Sequence, residues 1–212
     1  MNEKRDYVKL STQQKGILRK KIQNFFENII TELNGFDNDV APKQHIKETP
    51  FRIAKMYVDE LFQGCFEEPP TLKTFINEHP DSLSPVIVNK ILVKSLCSHH
   101  FVPFKGHATI YYIPNKRVVG LSKFSRIVDY YSRRPQIQEE LTRQIANYVN
   151  DNIEPHIFGV GIRAQHLCMT HRGANEPLSD METYHIIINN NDIGYTYSDI
   201  QEILSKHLEN GL

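Results

Sequence analysis

Residues 95–102 read S-L-C-S-H-H-F-V, and residues 166–168 read H-L-C. Thiolate and imidazole are donors that zinc favours, and catalytic zinc sites commonly use three protein ligands with one position left open. In an extended strand, residues two apart share a face. Cys97 and His99 therefore point together, and His100 points away unless the strand ends in a turn. His166 and Cys168 repeat the two-residue spacing. Two strand ends brought side by side could supply a Cys-Cys-His set with histidines left over. Spacing alone equally permits buried cysteines acting as small hydrophobes beside hydrogen-bonded strand histidines. The absence of C-x-x-C pairs argues against a structural Cys2His2 zinc site.

A second group of residues suits anions. In G-L-S-K-F-S-R, Gly120 to Arg126, a helix start offers unpaired amide donors and the positive end of a dipole. Lys123 and Arg126, three apart, project off the apolar stripe, which makes this a place for phosphate. A solvated basic helix start with Ser122 as an ordinary cap has the same appearance. Arg52 and Lys55, also three apart, and Arg172 in T-H-R-G extend the basic set, although surface basic pairs are common. Gln138 and Glu139 are read as lying off the buried face of a helix that starts at Pro135. A carboxylate there can accept two N–H bonds from a guanine edge, or simply complement the helix dipole.

These side chains need elements to hold them. Leu18, Ile22, Phe25, Phe26, Ile29 and Leu33 keep helical spacing, which predicts an amphipathic helix over 13–33. A second helix is expected from Thr49, with Pro50 in its first turn and Gly64 as its stop. Pro69, Pro70, Pro80 and Pro85 mark residues 67–85 as a linker. From Val86 the β-branched and aromatic residues of V-I-V-N-K-I-L-V-K-S-L and H-A-T-I-Y-Y-I-P predict strands, followed by a short V-V-G-L. Two helices come next, one opened by Ser122 and one by Pro135. Strands return at I-F-G-V-G-I-R-A-Q-H-L-C-M and T-Y-H-I-I-I, and a last helix spans 199–208. That order predicts an α+β fold with the helices on one face of a mainly antiparallel sheet. We divide it into an N-terminal helical region and linker, 1–84, and a catalytic domain, 85–212.

Composition bounds the rest. With 212 residues, 40% of them hydrophobic, and a mean hydropathy of −0.46, the chain has the profile of an ordinary globular protein. Its 25 basic and 25 acidic residues cancel, so no global field draws it to nucleic acid or an anionic membrane, and any anion must be held by a local cluster. No apolar run approaches a membrane span, and the first residues lack the pattern of a secretory signal, so a cytoplasmic location is expected. Three cysteines without a C-x-x-C pair argue against a disulfide framework.

In combination these motifs are distinctive. T-P-F-R-I-A-K-M-Y-V-D-E-L-F (49–62), C-S-H-H-F-V-P-F-K-G (97–106), I-P-N-K-R-V-V-G-L-S-K-F-S-R-I-V (113–128), R-R-P-Q-I-Q-E-E-L-T (133–142) and H-L-C-M-T-H-R-G (166–173) occur in this order. With them, the chain resembles the GTP cyclohydrolase I family over roughly residues 45–173. The resemblance implies a tunnelling fold, an antiparallel sheet backed by two helices, with an N-terminal helical extension. It implies a homodecamer of two stacked pentamers with active sites at subunit boundaries.

The implied reaction converts GTP and water to 7,8-dihydroneopterin triphosphate and formate, using water activated by Zn2+. By motif match, Cys97, His100 and Cys168 are the implied zinc ligands, with His166 and His99 moving protons and Ser122 contacting the ribose-triphosphate region. Lys123, Arg126, Arg172, Arg52 and Lys55 are implied for the triphosphate, and Glu139 beside Gln138 for the guanine. Two departures stand out. Ser98 replaces the usual acid of C-E-H-H, and after Gly173 the chain lacks the family's Ser/Thr-rich strand and L-G-x-F segment. His171 before Arg172 is also unusual. Alternative readings are a divergent enzyme acting on another purine nucleotide, or a noncatalytic homologue, but no ligand or proton-transfer position is lost.

Overall fold

The computed structural model describes residues 7–36 and 43–209; the six N-terminal residues read above for a signal lie outside that range. The chain divides into two compact units, Met1–Glu68 and Pro69–Leu212.

The first unit is helical. Helix α1, Thr12–Phe36, packs against α3, Thr49–Met56, with the short α2, Lys43–Ile46, between them in sequence. Arg19 Nε donates to Asp59 Oδ1 at 3.0 Å. Gly64 does not stop the second helix. A π-helical turn, Tyr57–Leu61, follows α3, and Gly64 is buried within a further short helix, α4, Gln63–Phe66; the chain becomes extended only at Glu67.

The second unit is built on a sheet. Strands β2 (Val86–Cys97), β3 (Pro103–Ile113), β6 (Ile157–His166) and β7 (Met181–Ile188) pair antiparallel in that spatial order. The 67–85 stretch is more than a linker. Its Thr74–Ile76 forms β1, antiparallel to β4, Arg117–Val119. Pro135 does not open a helix either. Pro135–Gln136 forms β5, a two-residue edge strand parallel to Leu96 and Cys97, and helix α6 begins only at Gln138. A proline at an edge leaves no ladder donor unsatisfied.

Helices α5 (Leu121–Ser132) and α6 (Gln138–Ile153) cover one face. Phe124, Ile127, Leu141 and Ile145 pack with Ile110, Tyr112, Phe158 and Val160 in a dry core. Alternation sends Tyr111, Ile113 and Ile157 to the other face, where a third helix, α8 (Tyr197–Glu209), lies on them through Ile200 and Leu204. The expectation of helices on one face is therefore incomplete. Close approach of α8 requires small residues beneath it. A Cβ at Gly159 would sit 3.1 Å from Ile200 Cγ2 and 3.2 Å from Leu204 Cδ1. Leu204 is fully buried. Leu204→Ala is expected to lower stability by about 2–5 kcal/mol, read from the shift in a urea unfolding midpoint.

Candidate metal centre and active-site cleft

Strand β2 ends at Cys97, and the chain reverses at once. Phe101 N donates to Cys97 O (2.8 Å), Cys97 N to Val102 O (2.9 Å), and Ser98 N to Gln136 O (3.1 Å). Phe101 closes the reversal with φ of 53°, left-handed backbone that is uncommon outside glycine. The turn is the condition the sequence left open: it folds His100, which an extended strand would point away, back to the side of Cys97. On the other side, β6 ends at His166 and a single helical turn, α7 (Leu167–Thr170), carries Cys168. Strands β2 and β6 are not neighbours, because β3 lies between them. The two turns bridge that gap.

The result is a cluster in which the donor atoms of Cys97, His100 and Cys168 all lie within 4.8 Å of one another. Cys97 is buried, Cys168 is half-buried and His100 is exposed, so the cluster opens to solvent on one side. Burial pushes the Cys168 thiol up, and the neighbouring Cys97 sulfur adds to that, while Arg172 pulls it back. The Cys168 thiol held in this way resists ionisation unless a cation shares it. With one imidazole and two soft sulfur donors converging on one point, the donor set suits zinc. His99 remains close, its Nδ1 3.9 Å from Cys97 Sγ.

A cleft of about 470 Å³ adjoins the cluster, lined by Cys97, His99, Gln138, Glu139, His166 and Cys168, with Ser179, Asp180 and Met181 on another wall. His166 stacks flat on Phe104, with ring centroids 4.5 Å apart and planes 9° apart. Its Nε2 lies 2.9 Å from Gln138 Oε1. Burial lowers the pKa of His166, and the Glu139 carboxylate opposes that shift.

Several placements differ from the sequence expectation. Gln138 does not lie off the buried face; it is fully buried, its amide engaged on both ends, because the N-terminus of α6 is tucked against β6 and β7. Glu139, one residue on, is exposed at the cleft. Asp180, from the divergent tail, was not singled out by sequence; Arg163 Nε holds its Oδ2 at 2.8 Å on the cleft wall. Phe104 was also missed, although it stands in the same C-S-H-H-F-V-P-F stretch.

Ser122, Lys123 and Arg126 are not among the residues lining the cleft. They sit at the start of α5, which the chain reaches only after β3 has run eleven residues away from the Cys97 end. That strand is roughly 35 Å long at 3.4 Å per residue, and α5 then runs back roughly 18 Å at 1.5 Å per residue toward β5, which pairs with Leu96 and Cys97. Arg52 and Lys55 lie on α3 in the first unit, where Arg52 pairs with Glu48 at 2.9 Å.

An α+β domain with two helices on one sheet face and a Cys-His-Cys cluster at one sheet end defines a class: a protein with a candidate metal centre beside a substrate-sized cleft. The sequence profile of GTP cyclohydrolase I matches residues 22–192. GTP cyclohydrolase 1 of Desulforamulus reducens is 45% identical over 138 residues, covering 64% of this chain and 72% of that protein. The enzyme of the same name from Carboxydothermus hydrogenoformans is 40% identical over 151 residues, 70% of this chain and 76% of that one. That from Streptococcus suis is 43% identical over 164 residues, 76% and 86%. Among solved structures, the apo form of the archaeosine synthase QueF-Like aligns with 50% of this chain and 94% of that one, at 21% identity and a TM-score of 0.42. The chain belongs to the GTP cyclohydrolase I family. Among the described residues, no helix is long and apolar enough to cross a membrane.

Proposed function

We propose that this chain hydrolyses the imidazole ring of GTP, releasing formate and giving 7,8-dihydroneopterin triphosphate, at a zinc centre held by Cys97, His100 and Cys168. The observation that carries the reading is the convergence of those three donors beside a cleft that also holds His166, His99 and Glu139. When bound, zinc supplies an acidified water as nucleophile at neutral pH.

The chain's own residues do the remaining work. Glu139, exposed at the cleft, accepts N–H bonds from the guanine edge. His166 gives a proton to the ring nitrogen as the C8 bond weakens. Because burial lowers its pKa, its protonated form is a stronger acid than free imidazolium. His99, beside Cys97, moves protons during ring opening. Gln138, whose amide is already engaged with Ile162, Met181 and His166, orients His166 rather than touching the base.

For the triphosphate we look to a second copy. Ser122, Lys123 and Arg126 do not line this chain's cleft, and the reading takes them from a neighbouring subunit that brings its α5 N-terminus to this cleft, with Arg172 acting from the same chain as the cluster and Arg52 and Lys55 adding to the cation set. Two sheet edges are available for such assembly. Strand β7 is terminal in the sheet, and the β5 pairing covers β2 only at Leu96 and Cys97. The ring of subunits in a homodecamer is the assembly we expect, in the cytoplasm.

The test is incubation of the zinc-loaded protein with each nucleoside triphosphate, followed by oxidation and a scan for pterin fluorescence. Fluorescence with GTP alone is expected; none with GTP, or an equal signal with another purine nucleotide, contradicts the reading. Glu139→Gln is expected to lower kcat/KM for GTP by about 10–100-fold with zinc content unchanged, the loss of a charge-assisted hydrogen bond. Normal GTP preference in that variant would remove the base-recognition role.

A further inference from the structure

Resting on the function proposed above, we infer that Asp180 is a specificity-determining residue of the cleft: its free oxygen, Oδ1, accepts the hydrogen of the guanine 2-amino group that Glu139 leaves unpaired. Guanine carries one hydrogen on N1 and two on its 2-amino nitrogen. A single carboxylate, accepting on its two oxygens, accounts for N1–H and one amino hydrogen. The remaining hydrogen needs another acceptor, because a polar group shut away from water without one weakens binding.

Asp180 is an acceptor held in the wall of that same cleft. Arg163 Nε donates to its Oδ2 at 2.8 Å, and Arg163 Nη2 reaches the same oxygen at 2.8 Å. Both contacts fall on one oxygen, so Oδ1 has no hydrogen-bond partner among the described residues. The guanidinium is itself held in place. Arg163 on β6 stands opposite Glu182 on β7, with its Nη1 3.6 Å from Glu182 Oε1, and the Tyr184 hydroxyl donates to Oε2 of Glu182. Arg163 is not among the residues lining the cleft, so the carboxylate stands between it and the bound base. The side chains of the pair are only 22% and 21% exposed, which keeps the charge of Asp180 offset by Arg163 where an anionic nucleotide must enter.

The place of Asp180 on the wall ties it to the amino group. Gln138 Nε2 donates to Met181 O at 3.0 Å. Glu139 follows Gln138 and Asp180 precedes Met181, so this hydrogen bond draws the two carboxylate-bearing residues to one end of the cleft. Both then border the same edge of a base that Glu139 grips.

Binding of GTP and of inosine triphosphate, which keeps N1–H and lacks the 2-amino group, tests this in the zinc-loaded protein at times too short for turnover. Asp180→Ala is expected to weaken GTP by about 10–100-fold relative to inosine triphosphate, the loss of one charge-assisted hydrogen bond. Removing the carboxylate changes the charge of the cleft for both nucleotides alike, so their ratio reports the contact. Glu139→Gln, by contrast, is expected to weaken both, because both carry N1–H. An unchanged ratio in Asp180→Ala would make Asp180 only an anchor for Arg163 and overturns the inference. Should that variant fail to fold, wild-type protein decides with N2-methyl-GTP, in which a methyl group replaces one amino hydrogen. Binding about 10-fold or more weaker than GTP is expected, and equal binding overturns the inference. GTP that binds with the expected ratio yet yields no pterin counts against the proposed reaction and leaves the reading of the amino group standing.

Discussion

Cys168→Ser is expected to lose its zinc and, with it, GTP turnover, by about 10³-fold or more. A serine hydroxyl does not ionise at neutral pH, so the site falls from two thiolates and an imidazole to one thiolate, one imidazole and a neutral oxygen, a poor set for a soft-donor zinc centre. The loss in rate follows from removing several kcal/mol of transition-state stabilisation, at 1.36 kcal/mol per tenfold. Elemental analysis of the purified variant and a turnover assay measure the two effects together. Retention of both metal and rate would mean that Cys168 is only a half-buried thiol beside Cys97. The variant is not expected to unfold the domain, because Cys168 sits on a short helical turn at the sheet end, only half-buried at the rim of the core it packs against, and serine is close to cysteine in size.

His166→Ala is expected to do the opposite to the metal. Zinc content stays at the wild-type level, while ring opening falls by about 10²–10⁴-fold, the range attached to a lost general acid. The distinction is sharp because His166 is only two residues from Cys168 yet stands outside the set of converging donors, engaged instead with Gln138 and stacked on Phe104. Loss of zinc in this variant would show that ligand and proton donor had been assigned the wrong way round. Comparing the variants separates holding the metal from moving the proton.

How much of this was legible beforehand depended on whether local sequence fixed the answer. The C-x-H-H and H-L-C spacings pointed to donors because thiols and imidazoles are few and were clustered. Bringing His100 beside Cys97 needed a reversal whose cause lies in the backbone: Phe101 adopts a left-handed φ that no composition rule assigns to phenylalanine. Gln138 was misplaced for a related reason. Its helix was started three residues early, at Pro135, which shifted the first turn and made a buried amide look exposed. The short β5 pairing that displaces the helix start is a long-range contact with Leu96 and Cys97, invisible to periodicity. The same holds for β1, three residues hidden in a proline-rich stretch and defined only by its partner β4. Helix α8 was read correctly as a helix, but its seat on the second face of the sheet follows from Gly159 and Gly161, where missing side chains make room. The basic residues of α5 were legible as a cluster at a helix start, whereas their absence from the lining of the cleft emerged only from the fold.

The central claim is that Cys97, His100 and Cys168 grip one zinc ion at the mouth of the cleft. Zinc-edge anomalous diffraction from crystals of protein purified without chelator tests it most directly. One peak per chain is predicted, bounded by the two sulfurs and the His100 ring, with Glu139 and His166 on the adjoining wall. Clear density for all three side chains with no anomalous peak between them, in protein that turns over GTP, would contradict it.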